Sequence, residues 1–258
     1  MFPFVYEINP AGWSHLAYFG LLLPIMVVRG RMKIRNLKTP LPNRLRHFQM
    51  TSFSLVVLAA ISLLVARVEW IELFPRTRPP LLAVLAGVVM LVATVALMRP
   101  RWRRAVEHRT PVGARVLHLC MPANAGERAW WIAVSVLAGI SEEITWRGVQ
   151  TALLSNLTGR LWTAAIICSI SFGLAHMVQG WKSSAIIVFF ALGFHALVWL
   201  GSSLYVAMAV HIAYDITAGL SYGRLGKEFG YSPELNESPQ PYHLLRSSPT
   251  RGSALRRP

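Results

Sequence analysis

Charged residues, and acids above all, are scarce in this 258-residue chain. Only 14% of its residues are charged, and 11 acids stand against 26 lysines and arginines. An ordinary soluble domain carries about 25% charged residues. Because 54% of the residues are also hydrophobic, this composition excludes a soluble protein. With only two cysteines, Cys120 and Cys168, a secreted scaffold held by disulfides is excluded as well. The sequence contains a single aspartate, Asp215.

Long apolar runs are what the chain has instead. A helix needs roughly 17–25 mostly apolar residues to cross the hydrocarbon core of a bilayer. Seven such runs occur, at residues 12–28, 49–66, 80–98, 129–150, 159–177, 183–200 and 202–222. None shows the short alternating pattern of barrel strands. We therefore predict an all-α fold, a polytopic transmembrane helix bundle of about seven spans. The first run follows a start without basic residues, so we interpret it as a retained span and not as a cleaved signal peptide.

The basic residues are distributed unevenly between the predicted loops. Of the 26, 21 fall on one side of the membrane, in residues 29–48 and 99–128, at Lys182 and in the tail from residue 223. Four fall on the other side. The positive-inside rule then predicts an N-terminus outside and a C-terminus in the cytoplasm. The formal charge of +15 thus indicates topology and attraction to anionic lipid, with no nucleic acid as partner.

Two segments outside the predicted spans differ from the loops in composition. Residues 99–128 mix arginines with apolar residues and are expected to lie partly along the membrane interface. Residues 223–258 are rich in Ser, Pro and Arg, which is typical of a disordered tail. The chain uses 22 arginines and only 4 lysines; this bias hints at a GC-rich genome and hence at a bacterial cell membrane.

Ionisable residues interrupt the later apolar runs, whereas the interiors of the first three runs hold essentially no charge. A charge at the bilayer centre costs about 2.5–3.5 kcal/mol on insertion scales, so such residues normally face a cavity or a partner and mark function. The residues concerned are Glu142, Glu143, Arg147, His176, His195, His211 and Asp215. Singly, each has a structural explanation, and His195, with no motif around it, is best explained as a core histidine. Jointly, acids and histidines on successive spans favour a functional site.

The spacing of these residues on helices predicts which of them can meet. Glu143 and Arg147 are four residues apart and can form an ion pair, for which a structural role is favoured over a catalytic one. Glu142 is rotated by about 100° from Glu143, so one carboxylate can be neutralised while the other points into a cavity. His211 and Asp215 are again four apart, as are Phe172 and His176.

A carboxylate beside neutral histidines can hold and deprotonate a water molecule, which is the work of a general base. Histidine N–H groups can then stabilise the oxyanion that forms when this water attacks a carbonyl. The sequence has no GxSxG elbow, no reactive-cysteine context and no HExxH motif, so serine, cysteine and zincin-type hydrolysis have no support. A pair of catalytic aspartates is excluded because there is only one aspartate.

Three short motifs follow one another over about 75 residues: Glu142-Glu143-Ile144-Thr145-Trp146-Arg147, Phe172-Gly173-Leu174-Ala175-His176 and His211-Ile212-Ala213-Tyr214-Asp215. In this order, on successive spans, they resemble EExxxR, FxxxH and HxxxN/D of the CPBP family of intramembrane glutamic endopeptidases, which includes CAAX prenyl proteases and Abi-like bacteriocin-processing proteins. The resemblance implies a catalytic core of four spans at residues 129–222. Residues 1–128 would form a three-span scaffold with basic cytoplasmic loops, and residues 223–258 the disordered basic tail.

The resemblance also implies a role for each residue. Glu142 would activate the water with help from His176, and His211 with residue 215 would form the oxyanion site. Glu143, Arg147 and Phe172 would support them. An ionised aspartate would repel an oxyanion, so Asp215 would have to be protonated, bind a cation or orient His211 through a hydrogen bond, and we favour the last. The predicted boundaries place Glu142 and His176 at different depths. We therefore expect the fourth helix to run past Val149 and the helices to tilt and break around a shared, water-filled cavity.

The leading hypothesis is a metal-independent intramembrane endopeptidase that uses a glutamate-activated water on a membrane-associated peptide or protein. A variant of it places a divalent metal such as zinc on Glu142, His176 and His211, a sound ligand set. The alternative from another class is a non-catalytic membrane scaffold or a proton-coupled transporter, because buried Glu, His and Asp also form proton relays. Against transport, the chain is short and shows no paired inverted halves.

Overall fold

A computed structural model describes residues 7–75 and 78–230, and almost all of this part is helical, with no strand. Helix α1 spans Pro10–Arg35, with a π-helical turn at Tyr18–Leu22. It is followed by α2 (Arg44–Val68), α3 (Leu81–Glu107), α4 (Pro111–Cys120), α5 (Ala125–Glu142), α6 (Thr151–Thr158), α7 (Leu161–Ala175), α8 (Trp181–Gly201) and α9 (Tyr205–Glu228). A π-helical segment at Glu143–Gln150 joins α5 to α6 without a break. The predicted all-α class is confirmed.

Four helices in the described part are long and apolar enough to cross a membrane: α1, α2, α3 and α8. Helix α7 is a shorter apolar helix. Large apolar side chains are exposed along these helices; Val89 is 67% exposed and Phe189 73%. In water this surface would be very unfavourable, and it suits a protein that lies within lipid. These features support an integral membrane protein, whereas the count of seven spans stays a prediction.

The helices of the fourth and seventh predicted spans, α5 and α9, are not among these four. Both contain the ionisable residues of the candidate site. The fourth is also divided into α5, the π-helical segment and α6, and this run continues from Ala125 to Thr158. The fourth helix was expected to run past Val149, and it does. Ser202, with a positive φ of 48°, separates α8 from α9 where Gly201 and its serine neighbours predicted a division.

Several helices extend beyond their predicted boundaries. Helix α9 continues to Glu228, so the first residues of the predicted disordered tail are helical. Leu225 and Phe229 pack beside buried Val106 and Leu117, which explains why the helix extends beyond residue 222. The remainder of the predicted tail, residues 231–258, lies outside the described residues. The third predicted span also continues beyond residue 98, because α3 runs on to Glu107, and α4 follows it within the predicted interfacial segment.

The bundle is arranged in pairs around α5. Helix α2 packs along α5, α3 packs along α9, and α9 also crosses α5. Helices α7 and α8 pack together beside α6 and the π-helical segment. Thus the helices that carry the three sequence motifs, α5 with the π-helical segment, α7 and α9, are neighbours in the bundle.

The crossing of α5 and α9 depends on Gly139. A Cβ atom at this position would lie 2.5 Å from Ile212 Cγ1 and 3.0 Å from the backbone nitrogen of Ile212. Small residues allow this close backbone approach in membrane proteins. The crossing matters for the site because Ile212 adjoins His211, and Gly139 lies one turn before Glu142 and Glu143.

Gly139→Ala should therefore separate α5 from α9 and lower stability by roughly 1–3 kcal/mol, the usual cost of overpacking a core. Thermal unfolding in detergent would measure it. Gly30→Ala is the matched control, because a Cβ there has nothing within 4 Å. Equal unfolding temperatures for the two variants would contradict the close approach.

Candidate active site

The site is built around the π-helical segment Glu143–Gln150, in which every residue is buried. Ile144 and Val149 pack into one apolar cluster, and Trp146 packs into another together with Phe172. Thr151 caps the segment by donating its hydroxyl to the carbonyl of Trp146 at 2.6 Å. π-Helical turns are rare and are found frequently at functional sites. The apolar anchors on both sides hold the charged members of the segment in a fixed position.

Glu143 is a fully buried carboxylate with two partners, the cation of Arg147 and a hydrogen-bond donor on His211. Its Oε1 lies 3.3 Å from Arg147 NH1, and both side chains are 0% exposed. The same oxygen accepts a hydrogen bond from His211 Nδ1 at 2.8 Å. The predicted Glu143–Arg147 pair is therefore present. A buried charge without such partners would be strongly destabilising.

Two aromatic rings complete the surroundings of the arginine. The guanidinium carbon of Arg147 lies 4.2 Å from the ring centroid of Phe172 and 5.3 Å from that of Phe194. Such contacts between a cation and a ring face are stronger when the cation is desolvated. Phe194 also stacks on the imidazole of His211, with centroids 5.3 Å apart. The phenylalanine of the FxxxH motif is thus a direct contact of the buried arginine.

His211 presents its second nitrogen to two further carboxylates. Its Nε2 lies 3.8 Å from Glu142 Oε2 and 3.6 Å from Asp215 Oδ2. Both distances exceed those of a direct hydrogen bond. The side chains of Glu142 and Asp215 are 15% and 30% exposed, whereas that of Glu143 is fully buried. The two adjacent glutamates therefore have different environments, as the helical rotation between them predicted.

His176 lies where α7 ends, beside the same phenylalanine. Its Nδ1 donates a hydrogen bond to the carbonyl of Phe172 at 2.8 Å. A carbonyl only accepts, so in the neutral ring the proton is on Nδ1 and Nε2 is a free acceptor. The ring of Phe172 lies 4.5 Å from that of His176 and 6.4 Å from that of His211, measured between centroids. The second and third motifs thus meet around Phe172.

The structure differs from our expectation for Asp215. We expected Asp215 to orient His211 through a hydrogen bond, but His211 Nδ1 donates its hydrogen bond to Glu143. The physical reason is burial: a carboxylate with no access to water gains most from accepting the N–H, while Asp215 remains partly exposed. Among the described contacts, His176 and Glu142 form no direct hydrogen bond or ion pair, so a joint action would have to pass through a water. His195 is buried on α8, as expected of a core histidine.

A polar network behind the π-helical segment was not predicted. Its members come from three helical elements, and all are at most 2% exposed: His15, Ser62, Thr145 and Gln150. Sequence reasoning regarded the first three spans as chemically quiet. The available signal was His15 itself, an ionisable residue within the first apolar run.

The hydrogen bonds of this network have a single consistent direction. Thr145 donates to the carbonyl of Ser141 at 2.7 Å, so Ser62 donates to Thr145 at 2.8 Å. His15 Nε2 then donates to Ser62 at 3.0 Å. Gln150 Nε2 lies 3.2 Å from His15 Nδ1, the remaining acceptor of that ring. This chain of hydrogen bonds ends at the carbonyl of Ser141, directly before Glu142. It therefore connects α1 and α2 to the π-helical segment.

Within the described part of the chain, no group of three or more His, Cys, Asp or Glu side chains is arranged to hold a metal ion. The zinc variant named Glu142, His176 and His211 as ligands. His211 already engages Glu143 through Nδ1, which leaves only Nε2 for a ligand. The metal-dependent variant stays a prediction.

These features define an all-helical membrane protein with a buried glutamate–histidine site formed by three neighbouring helical elements. Residues 124–217 match the model of a family described as type II CAAX prenyl endopeptidase Rce1-like. This match agrees with the family that the three motifs indicated, and the matched segment contains all seven residues predicted for the site. No curated protein and no solved structure matches the chain. The family match supports a CAAX-type intramembrane protease.

Glu143→Gln should destabilise the protein strongly, because it leaves the buried Arg147 without its counter-charge. Removing one member of a buried ion pair costs about 3–5 kcal/mol. Thermal unfolding in detergent would measure the loss. The double variant Glu143→Gln with Arg147→Met removes both charges and should recover a large part of the stability; a double variant as unstable as the single one would contradict a pairing role.

Proposed function

We propose that the protein is an intramembrane endopeptidase in which Glu142 activates a water molecule for attack on a peptide carbonyl. The observation that carries this proposal is the 3.8 Å separation between Glu142 Oε2 and His211 Nε2. Polar groups at such a separation are commonly bridged by water. Glu142 is the partly exposed member of the glutamate pair, so water can reach it.

The reaction follows from the hydrogen bonds of each group. Glu142 takes a proton from the water while the oxygen of the water bonds to the carbonyl carbon. His176 Nε2 accepts a hydrogen bond from the same water. The carbonyl oxygen becomes an oxyanion. When the carbon–nitrogen bond breaks, the proton passes from Glu142 to the leaving amine. This is general base catalysis followed by general acid catalysis by one residue.

His211 is the proposed donor to the oxyanion. Its Nδ1 hydrogen is used in the bond to Glu143, so Nε2 can donate only when the ring is an imidazolium. The buried carboxylate of Glu143 stabilises this form in the same way as the aspartate of a Ser-His-Asp triad. Glu143 and Arg147 are therefore positioning residues, and Phe172 acts through its contacts with Arg147 and His176.

The substrate class proposed is a membrane-associated peptide or protein. CAAX proteases act on such substrates, and the site lies within the helical bundle, near the end of α7. The basic loops favour a cytoplasmic C-terminus and an N-terminus outside. Together with the arginine-rich composition, this orientation favours the cell membrane of a bacterium.

Glu142→Gln should abolish cleavage and leave the protein folded, since the amide keeps the shape of the side chain and cannot accept the proton. The measurement is a comparison of membrane proteomes, or of a purified cleavage assay, between wild type and variant. Glu72→Gln, at an exposed glutamate, is the matched control and should retain full activity. Turnover by the Glu142→Gln protein would refute the mechanism.

Asp215→Asn should retain cleavage, because Asp215 lies 3.6 Å from His211 Nε2 and the carboxylate that accepts the orienting hydrogen bond of His211 is that of Glu143. The asparagine amide can in addition donate to the oxyanion, so the rate should equal or exceed that of wild type. Initial rates at saturating substrate would decide it. A loss as complete as that of Glu142→Gln would give Asp215 an essential role and contradict this assignment.

The metal-independent mechanism predicts that the purified protein is active without a stoichiometric metal. Elemental analysis of active protein, combined with treatment by a chelator, is the appropriate measurement. Unchanged turnover after chelation is expected. Loss of turnover that returns on adding zinc would favour the variant with Glu142, His176 and His211 as ligands.

A further inference from the structure

A cavity of about 380 Å³ lies beyond the end of α7, outside the catalytic constellation. It is lined by the last turn of α1, the end of α3, helix α4 and Tyr222 of α9. The turn Val178–Gly180, which begins two residues after His176, forms another part of its wall. The cavity therefore borders the segment that positions a proposed catalytic histidine.

The lining of this cavity is basic. Arg31, Arg35, Arg109 and His108 contribute to it, and among the described residues no acid does. The rest of the wall is largely apolar, with Ile34 and Leu117 as examples. A ligand that matches both properties has an anionic group attached to an apolar body.

The wall formed by α4 is fixed in place. Arg115 donates from Nε to the carbonyl of Ile34 at 2.9 Å and from NH2 to that of Thr39 at 2.6 Å. His118 Nε2 donates to the carbonyl of Pro42 at 3.0 Å. These bonds hold α4 against the end of α1 and the loop that follows it. The cavity is thus preformed, which lowers the entropic cost of binding.

The cavity lies at the level of a membrane surface. Helices α1 and α3 are both long and apolar enough to cross a membrane, and Arg31, Arg35 and Arg109 are found where their apolar parts have ended. Basic pockets between transmembrane helices on the cytoplasmic side bind the headgroups of anionic lipids. We infer that this cavity binds the phosphate headgroup of an anionic phospholipid from the surrounding leaflet.

A bound headgroup would have a direct structural effect near the active site. Arg31 contacts Met177 Sδ at 3.6 Å, and Met177 adjoins His176. A phosphate held by Arg31 and Arg35 neutralises their mutual repulsion and stabilises the contact between α1 and this turn. Lipid binding is therefore expected to raise the thermal stability of the bundle.

The test uses the full chain carrying Glu142→Gln, so that lipid binding is measured without reference to cleavage. Native mass spectrometry would compare the retention of phosphatidylglycerol and phosphatidylcholine from mixed nanodiscs. Preferential retention of phosphatidylglycerol is expected. Arg35→Gln should reduce the retention of phosphatidylglycerol about fivefold. The double variant Arg31→Gln with Arg35→Gln should reduce it by about fivefold for each arginine that is removed.

Arg99→Gln with Arg101→Gln is the control, because it makes the same charge change at exposed arginines outside the cavity. It should leave retention and the lipid-dependent rise in unfolding temperature unchanged. Equal retention of the two lipids, or an equal loss in both double variants, would overturn the proposal. Displacement of the lipid by inorganic phosphate or by a peptide with a free C-terminal carboxylate at comparable concentration would show a site for soluble anions and would overturn it too. Since Arg35 is exposed, its single variant keeps the test valid if the double variant fails to fold.

Discussion

The architecture of the site depends on one constraint: a carboxylate without access to water has to be compensated by charge and by hydrogen bonds. Glu143 meets this constraint with Arg147 on its own helical segment and His211 on α9. Satisfying it fixes the distance between two helices and the orientation of one imidazole. The aromatic rings of Phe172 and Phe194 then enclose the arginine, and this draws α7 and α8 toward the same point. A single buried charge thus organises four elements of the bundle.

The same constraint divides the acids of the site into two kinds. Glu143 is fully enclosed and acts through its partners, whereas Glu142 and Asp215 retain some exposure. Only the exposed kind can exchange protons with water or approach a substrate. Adjacent residues of the same type therefore have different environments, because the helical rotation between them places one against protein and leaves the other partly exposed. The close crossing of α5 and α9 at Gly139 brings His211 within reach of both.

Much of this arrangement was predictable from the sequence, and the reasons for the exceptions are physical. The helical class and the Glu143–Arg147 pair followed from hydropathy and from spacing of four residues, which are local properties. The three motifs indicated the family whose model matches residues 124–217. The partner of His211 was not predictable. The i, i+4 rule favours Asp215 on the same helix, and it contains no information on a buried partner such as Glu143, which lies on another helix. The π-helical segment was also missed, since no residue pattern in Glu143–Gln150 distinguishes it from an α-helix. The network around His15 depends on contacts between residues up to 135 positions apart, and such contacts leave no local periodicity.

The direction of the hydrogen bonds from His15 to Ser141 has a consequence for how such a chain can diverge. His15, Ser62 and Thr145 each donate and accept a hydrogen bond, so a replacement that loses either function leaves a neighbour unsatisfied on a different helix. Two of the members, His15 and Ser62, lie outside the segment 124–217 that matches the family. Substitutions in the N-terminal helices and in the π-helical segment are therefore expected to be tolerated in compensating sets and not one at a time. In evolutionary terms, the N-terminal helices and the π-helical segment are co-adapted. An exchange of the N-terminal helices between relatives would have to include the residues at both ends of this hydrogen-bond chain.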